Sequence, residues 1–439
     1  MKVTRRFLAL LLSAFAVSSQ AEAATMRLSI EDALKMAHER NTSIKAVRAR
    51  IDQADARIVQ SRQAYLPKVK ISETWLHTTD PGANLVFKLQ QGIVTAQDFD
   101  PNRLNHPAGI SDFQTSLEVM QPLYNADAHI GRSIAVTARK AQVFMADRAV
   151  ENIDLYVKKA YYGMILATKN LADIEQSIVI MQAYSREAAR GYSAGLLTKS
   201  DKLSTDVRLA ELREQKLMMQ DEIRNAGDAL RMMLGLNADD TLVPSGDLAP
   251  DPKLPAGAAG ASHAGRSDLK ALDAFREVTG FQYDMARAQY MPRVNAFAQQ
   301  NWHDSSLVGL GGSGFTIGVN VQWNIYDGMA TKGKVQEAKA QELEARYNYE
   351  AAKEQGELEV NKARRALASS VERIAVSKKS LEEARVSFDF IGQQYKTGMA
   401  MTFELLMREG AYTWAKLRFN QARYDYSVAK SELDFYSGH

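Results

Sequence analysis

Tyr65-Leu66-Pro67-Lys68-Val69 returns as Tyr290-Met291-Pro292-Arg293-Val294, 225 positions later. Working outward, the correspondence continues. Phe113 and the Leu123-Tyr124-Asn125 that follows return as Phe315 and Ile325-Tyr326-Asp327, and Gly131 as Gly333, at an offset of 202. Tyr192, Gly195 and Asp201 return as Tyr395, Gly398 and Glu404 at 203. Self-similarity of this kind marks a repeated architecture, so the chain reads as two copies of one unit. The first repeat is assigned to 25–236 and the second to 267–439, joined by 237–266, a stretch rich in Pro, Gly and Ala that reads as a linker. The fall in offset between Pro67 and Phe113 puts a 23-residue insertion into the first copy.

Each copy predicts the same order: helix, strand, strand, long helix, helix. Ser29-Ile30-Glu31-Asp32 is a capping start for a short helix to about Arg40. Asn41-Thr42-Ser43 interrupts, and a second helix runs on until Pro67 forbids continuation. The long helix, near 128–192, carries a heptad: Val143, Val150, Val157, Met164, Leu171 and Ile178 stand seven apart, interleaved with Ala146, Ile153, Ala160, Ala167, Ile174 and Met181. The second copy repeats it with Val360, Leu367, Ile374, Leu381, Phe388 and Tyr395. At 1.5 Å per residue such helices are roughly 95 Å long, more than a globular core of this size buries. The shorter helices (42–64 with 199–235, and 267–289 with 402–436) together match the long ones, which predicts a thin helical wall with an apolar seam needing neighbours.

The strands decide the surroundings. In 315–326, Phe315, Ile317, Val319, Val321, Trp323 and Ile325 share one face, and Thr316, Gly318, Asn320, Gln322 and Asn324 the other. Residues 113–124 alternate similarly through Phe113, Thr115, Leu117, Val119 and Leu123, and the expected partners are about 68–78 and 293–302. A soluble antiparallel sheet would alternate too. Strand lengths of ten to twelve residues and aromatic residues near the strand ends favour an outer-membrane span. Four strands cannot close a barrel and open edges are not tolerated in lipid, so transmembrane strands would require several chains to share one barrel.

The first 24 residues read as a secretory signal. Lys2, Arg5 and Arg6 precede an apolar run over 7–17, with Ala21-Glu22-Ala23 as an A-x-A cleavage site. A run of about eleven residues is too short to span a bilayer. The net charge is +3 over 439 residues, no footprint for nucleic acid. The absence of cysteine excludes disulfides, thiolate sites, cysteine nucleophiles and a cysteine-linked lipid anchor. A mean hydropathy of −0.31 excludes a polytopic helical membrane protein.

The ordered, duplicated set now in hand resembles the TolC-like outer-membrane efflux proteins along nearly the whole length after residue 24. The carrying motifs are Leu28-Ser29-Ile30-Glu31-Asp32-Ala33-Leu34, the paired Tyr-x-Pro strand starts, the paired strands ending in Leu123-Tyr124 and Ile325-Tyr326, and the paired helix turns. The resemblance implies an α+β membrane protein: long coiled-coil helices forming a periplasmic α-barrel, with four β-strands per chain contributing to a trimeric, twelve-stranded outer-membrane β-barrel. It implies a homotrimer in the outer membrane of a Gram-negative bacterium, partnered by a periplasmic adaptor (membrane fusion) protein and an inner-membrane transporter. The adaptor would meet the tip at Gly195, Leu196, Leu197, Gly398, Met399 and Ala400. Glu404 falls where the family has an aperture aspartate, and Asp201 and Tyr395 fall on its hydrogen-bonded inter-helix pair. Two departures stand out: Met407 occupies the place of a second aspartate, and Ala400 that of a clamping arginine.

Other signals fail on context. Gly309-Leu310-Gly311-Gly312-Ser313-Gly314 fits a dinucleotide pattern by letter but precedes a strand, not a helix, and reads as a hairpin loop. The seven histidines have no ligand spacing, although His77 and His303 lie at corresponding strand ends. Seventeen methionines read as helical core filling. No nucleophile, base and orienter come together, so no enzyme, cofactor or metal is expected. The insertion, 80–112, reads from Pro81, Pro101 and Pro107 as an irregular loop, with Leu85-Val86-Phe87 and Ile93-Val94 as packing elements and an outer lid as one use. The leading function is a passive exit duct for efflux or type I secretion. The alternative is a periplasmic coiled-coil scaffold or adaptor outside the outer membrane.

Overall fold

The computed structural model describes residues 25–237, 239–248, 254–255 and 258–438. The expected signal, 1–24, lies outside the described residues, as does part of the expected linker. In chain order come β1 (Thr25–Leu28), α1 (Ile30–Arg40), α2 (Thr42–Ser61), β2 (Lys68–Thr78), α3 (Pro81–Gln91), α4 (Pro101–Asn105) and β3 (Ile110–Tyr124). The long α5 (Ala126–Ser193) and α6 (Lys199–Leu234) complete the first copy, and β4 (Thr241–Pro244) follows. The second copy is α7 (Ser267–Ala288), β5 (Arg293–Asp304), β6 (Gly312–Gln322), α8 (Ala330–Lys396) and α9 (Thr402–Ser437). Among the described residues no helix is long and apolar enough to cross a membrane.

Local chemistry sets these boundaries. Ser29 Oγ accepts from the Asp32 amide at 3.1 Å, the cap expected for α1. Asn41 ends α1 and starts α2: its Oδ1 accepts from Ser43 N at 2.8 Å while its amide reaches Met233 O at 2.8 Å. α5 has 68 residues and is about 100 Å long at 1.5 Å per residue.

Within the linker, β4 pairs in parallel with β1 from Thr25↔Thr241 to Leu28↔Pro244. Two expectations need correction. The insertion is not an irregular loop. Pro81 and Pro101 are each the first residue of a helix, where a missing N–H costs nothing, and Asp80 and Asp100 cap those starts. The final strand stops at Gln322 rather than Tyr326. Gln322 pairs with Arg293, and the next partner would be Pro292, which has no donor for the ladder.

One compact unit comprises Val47–Arg148 and Arg266–Gln355. Its sheet has the order β2-β3-β5-β6, every neighbour antiparallel. Register separates two faces. Val69, Ile71, Trp75, Phe113, Leu117, Val119, Ala298, Phe315, Ile317, Val319 and Val321 share one, interrupted by Gln300, Asp304, Ser313 and Glu73, to which the Thr115 hydroxyl donates. Lys68, Lys70, Ser72, Gln114, Ser116, Gln299, Asn301, Thr316, Asn320 and Gln322 share the other, tied by bonds such as Gln299 Nε2 to Ser116 Oγ at 3.0 Å. The apolar face is widely exposed, and β2 and β6 each leave an edge without a strand partner among the described residues.

The other unit takes its described residues from 25–46, 149–265 and 356–438. Its heptads are buried as predicted: Val157, Met164, Ile174, Ile178 and Met181 on α5, and Val360, Leu367, Ile374, Phe388 and Tyr395 on α8. One core surrounds Tyr161, whose hydroxyl donates to Leu28 O at 3.0 Å and accepts from Gly246 N at 3.0 Å. Each fully buried Leu or Ile contributes on the order of 1.5–3 kcal/mol.

Candidate gate at the paired helix turns

The two turns that close the α5–α6 and α8–α9 hairpins are built alike. Gly195 has φ +73° and Gly398 φ +75°, the left-handed conformation that ends a helix without a Cβ penalty. Leu196 N reaches back to Gly191 O at 2.8 Å, and Met399 N to Gln394 O at 2.8 Å. Both bonds join residues five apart, at the offset of 203 read from the sequence. Leu196 and Met399 stand exposed at the turns, followed on α9 by exposed Phe403. Leu197 turns inward against Gly191, where a Cβ would approach its Cδ1 to 2.8 Å, and Leu197 and Ala400 are half-buried against a second core that holds Met181, Leu212, Tyr395 and Leu405.

The acidic residues begin the following helices. Asp201 accepts from Thr198 N at 3.0 Å and from the Thr198 hydroxyl at 2.6 Å, while Thr198 Oγ1 accepts from Asp201 N at 3.1 Å, a complete capping box. The Thr198 hydroxyl, then its amide, hold the Asp201 carboxyl below its ordinary pKa. Glu404 occupies the matching place, with Oε2 accepting from Met401 N at 3.0 Å. Met401 has no hydroxyl to return, so half of the box is missing. Met407 lies three residues on and is exposed.

Asp201 and Tyr395 do not form the direct bond that the resemblance implied. Asp201 is committed to its own helix start, and Thr402 stands near both groups. The Tyr395 and Thr402 hydroxyls are buried, and neither completes a hydrogen bond of normal geometry among the described residues. Burial raises the Tyr395 phenol above its usual pKa, with the Thr402 hydroxyl pulling the other way. Tyr395 packs edge-on against Tyr184 at 5.8 Å, and Tyr184 against Phe388 at 6.2 Å. Beside them opens a cleft of about 750 Å³ between the two turns, lined by Glu187, Arg190, Leu197, Tyr395, Lys396 and Ala400 among others.

Sequence reading missed Thr402, and it also missed a buried polar network one to two turns along α9. Arg208 Nε donates to Glu409 Oε2 at 2.7 Å, Thr413 Oγ1 to Glu409 Oε1 at 2.6 Å, and Ser177 Oγ lies 2.8 Å from Thr413 Oγ1. Further along, Lys416 donates to Gln176 at 2.8 Å, and Asn420 to Asp173 at 2.8 Å and Asn170 at 3.0 Å. The available signal was the spacing 409, 413, 416, 420, 423, 427, which is a heptad written in polar residues.

The model of the family described as outer membrane efflux protein matches residues 33–236 and 260–439. The chain belongs to that family. This places it in the outer membrane, and the scaffold or adaptor that never enters that membrane is set aside. The family is one of transport proteins, not of enzymes. The outer membrane efflux protein BepC of Brucella suis is 20% identical over 431 residues, covering 97% of this chain and 88% of that protein. The alkaline protease secretion protein AprF of Pseudomonas aeruginosa is 21% identical over 346 residues, 74% of this chain and 69% of that protein. The outer membrane protein VceC of Vibrio cholerae has the same fold, with a TM-score of 0.77 at 15% identity over 93% of this chain and 96% of that one.

Proposed function

We propose that this chain is the outer-membrane exit duct of a tripartite efflux or type I secretion system. Three copies would share a twelve-stranded barrel, and their long helices would enclose a tube reaching into the periplasm. The observation carrying this reading is the four-stranded sheet, with an exposed apolar face, a polar face behind it, and two unpartnered edges. In lipid an open edge is untenable, so each edge must meet another copy. The polar face then lines a water-filled lumen and the apolar face meets lipid. Cargo would be delivered by an inner-membrane transporter through a periplasmic adaptor, and the duct itself would be passive. The names of BepC and AprF divide between efflux and secretion, so cargo specificity belongs to the partners.

The turns carrying Gly195, Leu196, Leu197, Gly398, Met399 and Ala400 would be the adaptor contact. Their exposed Leu196 and Met399 supply apolar anchors. Glu404, with Asp201, Tyr395 and Met407 around it, would form the aperture. Glutamates gathered around one axis repel each other and favour cations. Because Glu404 also caps α9, the informative substitution is Glu404→Gln, which keeps an accepting oxygen and removes the charge. In planar bilayers the purified protein is expected to give discrete channels whose cation preference falls in Glu404→Gln. Unchanged selectivity would reduce Glu404 to a helix cap.

A further inference from the structure

The insertion of the first copy folds onto the sheet, and the face it chooses is informative. At the end of α3, Gln91 donates to Asp112 Oδ1 at 2.8 Å and to Ser111 O at 2.9 Å. The second oxygen of Asp112 meets His303 Nδ1 at 2.7 Å. Nearer the start of α3, Asn84 donates to Ala108 O at 2.6 Å. All four side chains are buried. Asp112 and His303 lie on the polar face, in register with Gln114, Asn301 and Gly312. A Cβ on Gly312 would fall 1.6 Å from the Gln90 carbonyl oxygen, so the backbone of α3 rests directly on that face and only glycine leaves it room.

The rest of the insertion is braced to hold this pose. Asp80 Oδ1 caps Ala83 N at 2.8 Å, and Gly92 closes the helix at φ +72°. Lys88 binds Asp98 at 2.7 Å, and that bond, with the Thr95 amide, lowers the Asp98 pKa to about 2. The helix departs from an ordinary surface helix, which buries its apolar stripe. Its polar stripe, Asn84–Lys88–Gln91, is the covered one. Val86 and Leu89 on the helix, and Ile93 just past its Gly92 cap, are exposed, while Leu85 and Phe87 are half-buried.

We propose that α3 and the residue past its cap form a hydrophobic collar folded into the outer mouth of the channel, with Val86, Leu89 and Ile93 lining its constriction. The inference rests on the channel reading above, in which the polar face borders the lumen. The helix sits at the strand ends remote from α5 and α8, where β2 leads to β3 and β5 to β6, hence at the end facing away from the periplasm. Lipid does not explain the apolar stripe, because α3 lies on the face opposite Phe315, Ile317 and Val319. Apolar constrictions resist wetting and gate aqueous pores without charge.

The chain has no cysteine, so single thiols report position cleanly. Full-length Leu89→Cys in planar bilayers is expected to conduct, and to lose about half its conductance or more when a sulfonated methanethiosulfonate reagent reaches the collar. Ile317→Cys, on the apolar sheet face, is expected to be unaffected by the same reagent. The combined Val86→Ser, Leu89→Ser and Ile93→Ser variant is expected to conduct more than the parent. If channels form but neither the thiol reaction nor the serine variant changes conductance, the collar is wrong and the channel stands. If the parent protein forms no channel, both readings fail.

Discussion

β6 and α9 are nearly inside out with respect to each other. On β6, Phe315 and Ile317 are 80% and 75% exposed, while on α9 Glu409 and Lys416 are 1% and 5% exposed. A chain folding for water alone would do the reverse. The contrast separates two kinds of surface. Among the described residues nothing covers the strand face of β6. The α9 face already has its partners: Arg208 for Glu409, Gln176 for Lys416, Asp173 and Asn170 for Asn420. Burying charge without such partners is costly, so the α9 seam depends on these bonds being complete.

The largest expected effect breaks the buried side of this comparison. Glu409→Ala leaves the Arg208 guanidinium without its buried partner and is expected to destabilise the helical unit by about 3–5 kcal/mol, seen as a lower denaturant midpoint. Glu409→Leu paired with Arg208→Met is expected to recover most of that loss, and equal damage in both variants would contradict the pairing. Next comes the exposed side. Ile317→Lys is expected to cost about 2–4 kcal/mol if that position faces the bilayer midplane, reducing the heat-resistant assembled form in membranes. Thr316→Lys, one residue away on the polar face, is expected to be tolerated. Identical behaviour of the two would mean the faces are not distinguished by lipid.

Smaller effects sharpen the likeness between the paired turns. Met401→Thr supplies the hydroxyl that Thr198 has and Met401 lacks, and should stabilise the start of α9 by about 0.5–1 kcal/mol, read as slower amide exchange over 402–405. The cap at Asp201 should also be insensitive to mild acid. Its folded pKa is lowered, so its contribution is complete above the ordinary carboxylate value near 4 and is lost only as pH falls through the lower folded value. Protection of the Thr198 amide should therefore hold from pH 7 to 5. Loss within that window would contradict the capping bonds.

Much of the fold was legible because two periods are hard to disguise. Offsets of 225, 202 and 203 exposed the duplication, and the apolar heptad of α5 located that helix to within a few residues, while the heptad of α8 marks only its second half. What stayed hidden shares one cause: residues judged by type rather than by position. Pro81 and Pro101 were read as breakers, yet proline at the first turn of a helix starts it. Glu409, Lys416 and Asn420 keep heptad spacing, but polar letters are read as solvated. The site divides similarly. Sequence alone gave the turn glycines and the matching of Asp201 with Glu404. The Thr402 hydroxyl between Asp201 and Tyr395 depends on two hairpins meeting, which no local pattern encodes.

The central proposal is that the open edges of β2 and β6 are completed by other copies of this chain, and the exposed strand face by lipid, in the outer membrane. The most direct test is the mass of the protein extracted from outer-membrane fractions in mild detergent, corrected for bound detergent. The expected result is a closed assembly of three chains of 48.7 kDa, about 140 kDa if residues 1–24 are removed as a secretory signal. A detergent-independent monomer that stays in solution would contradict it, because the edges and apolar face would then have no partner at all.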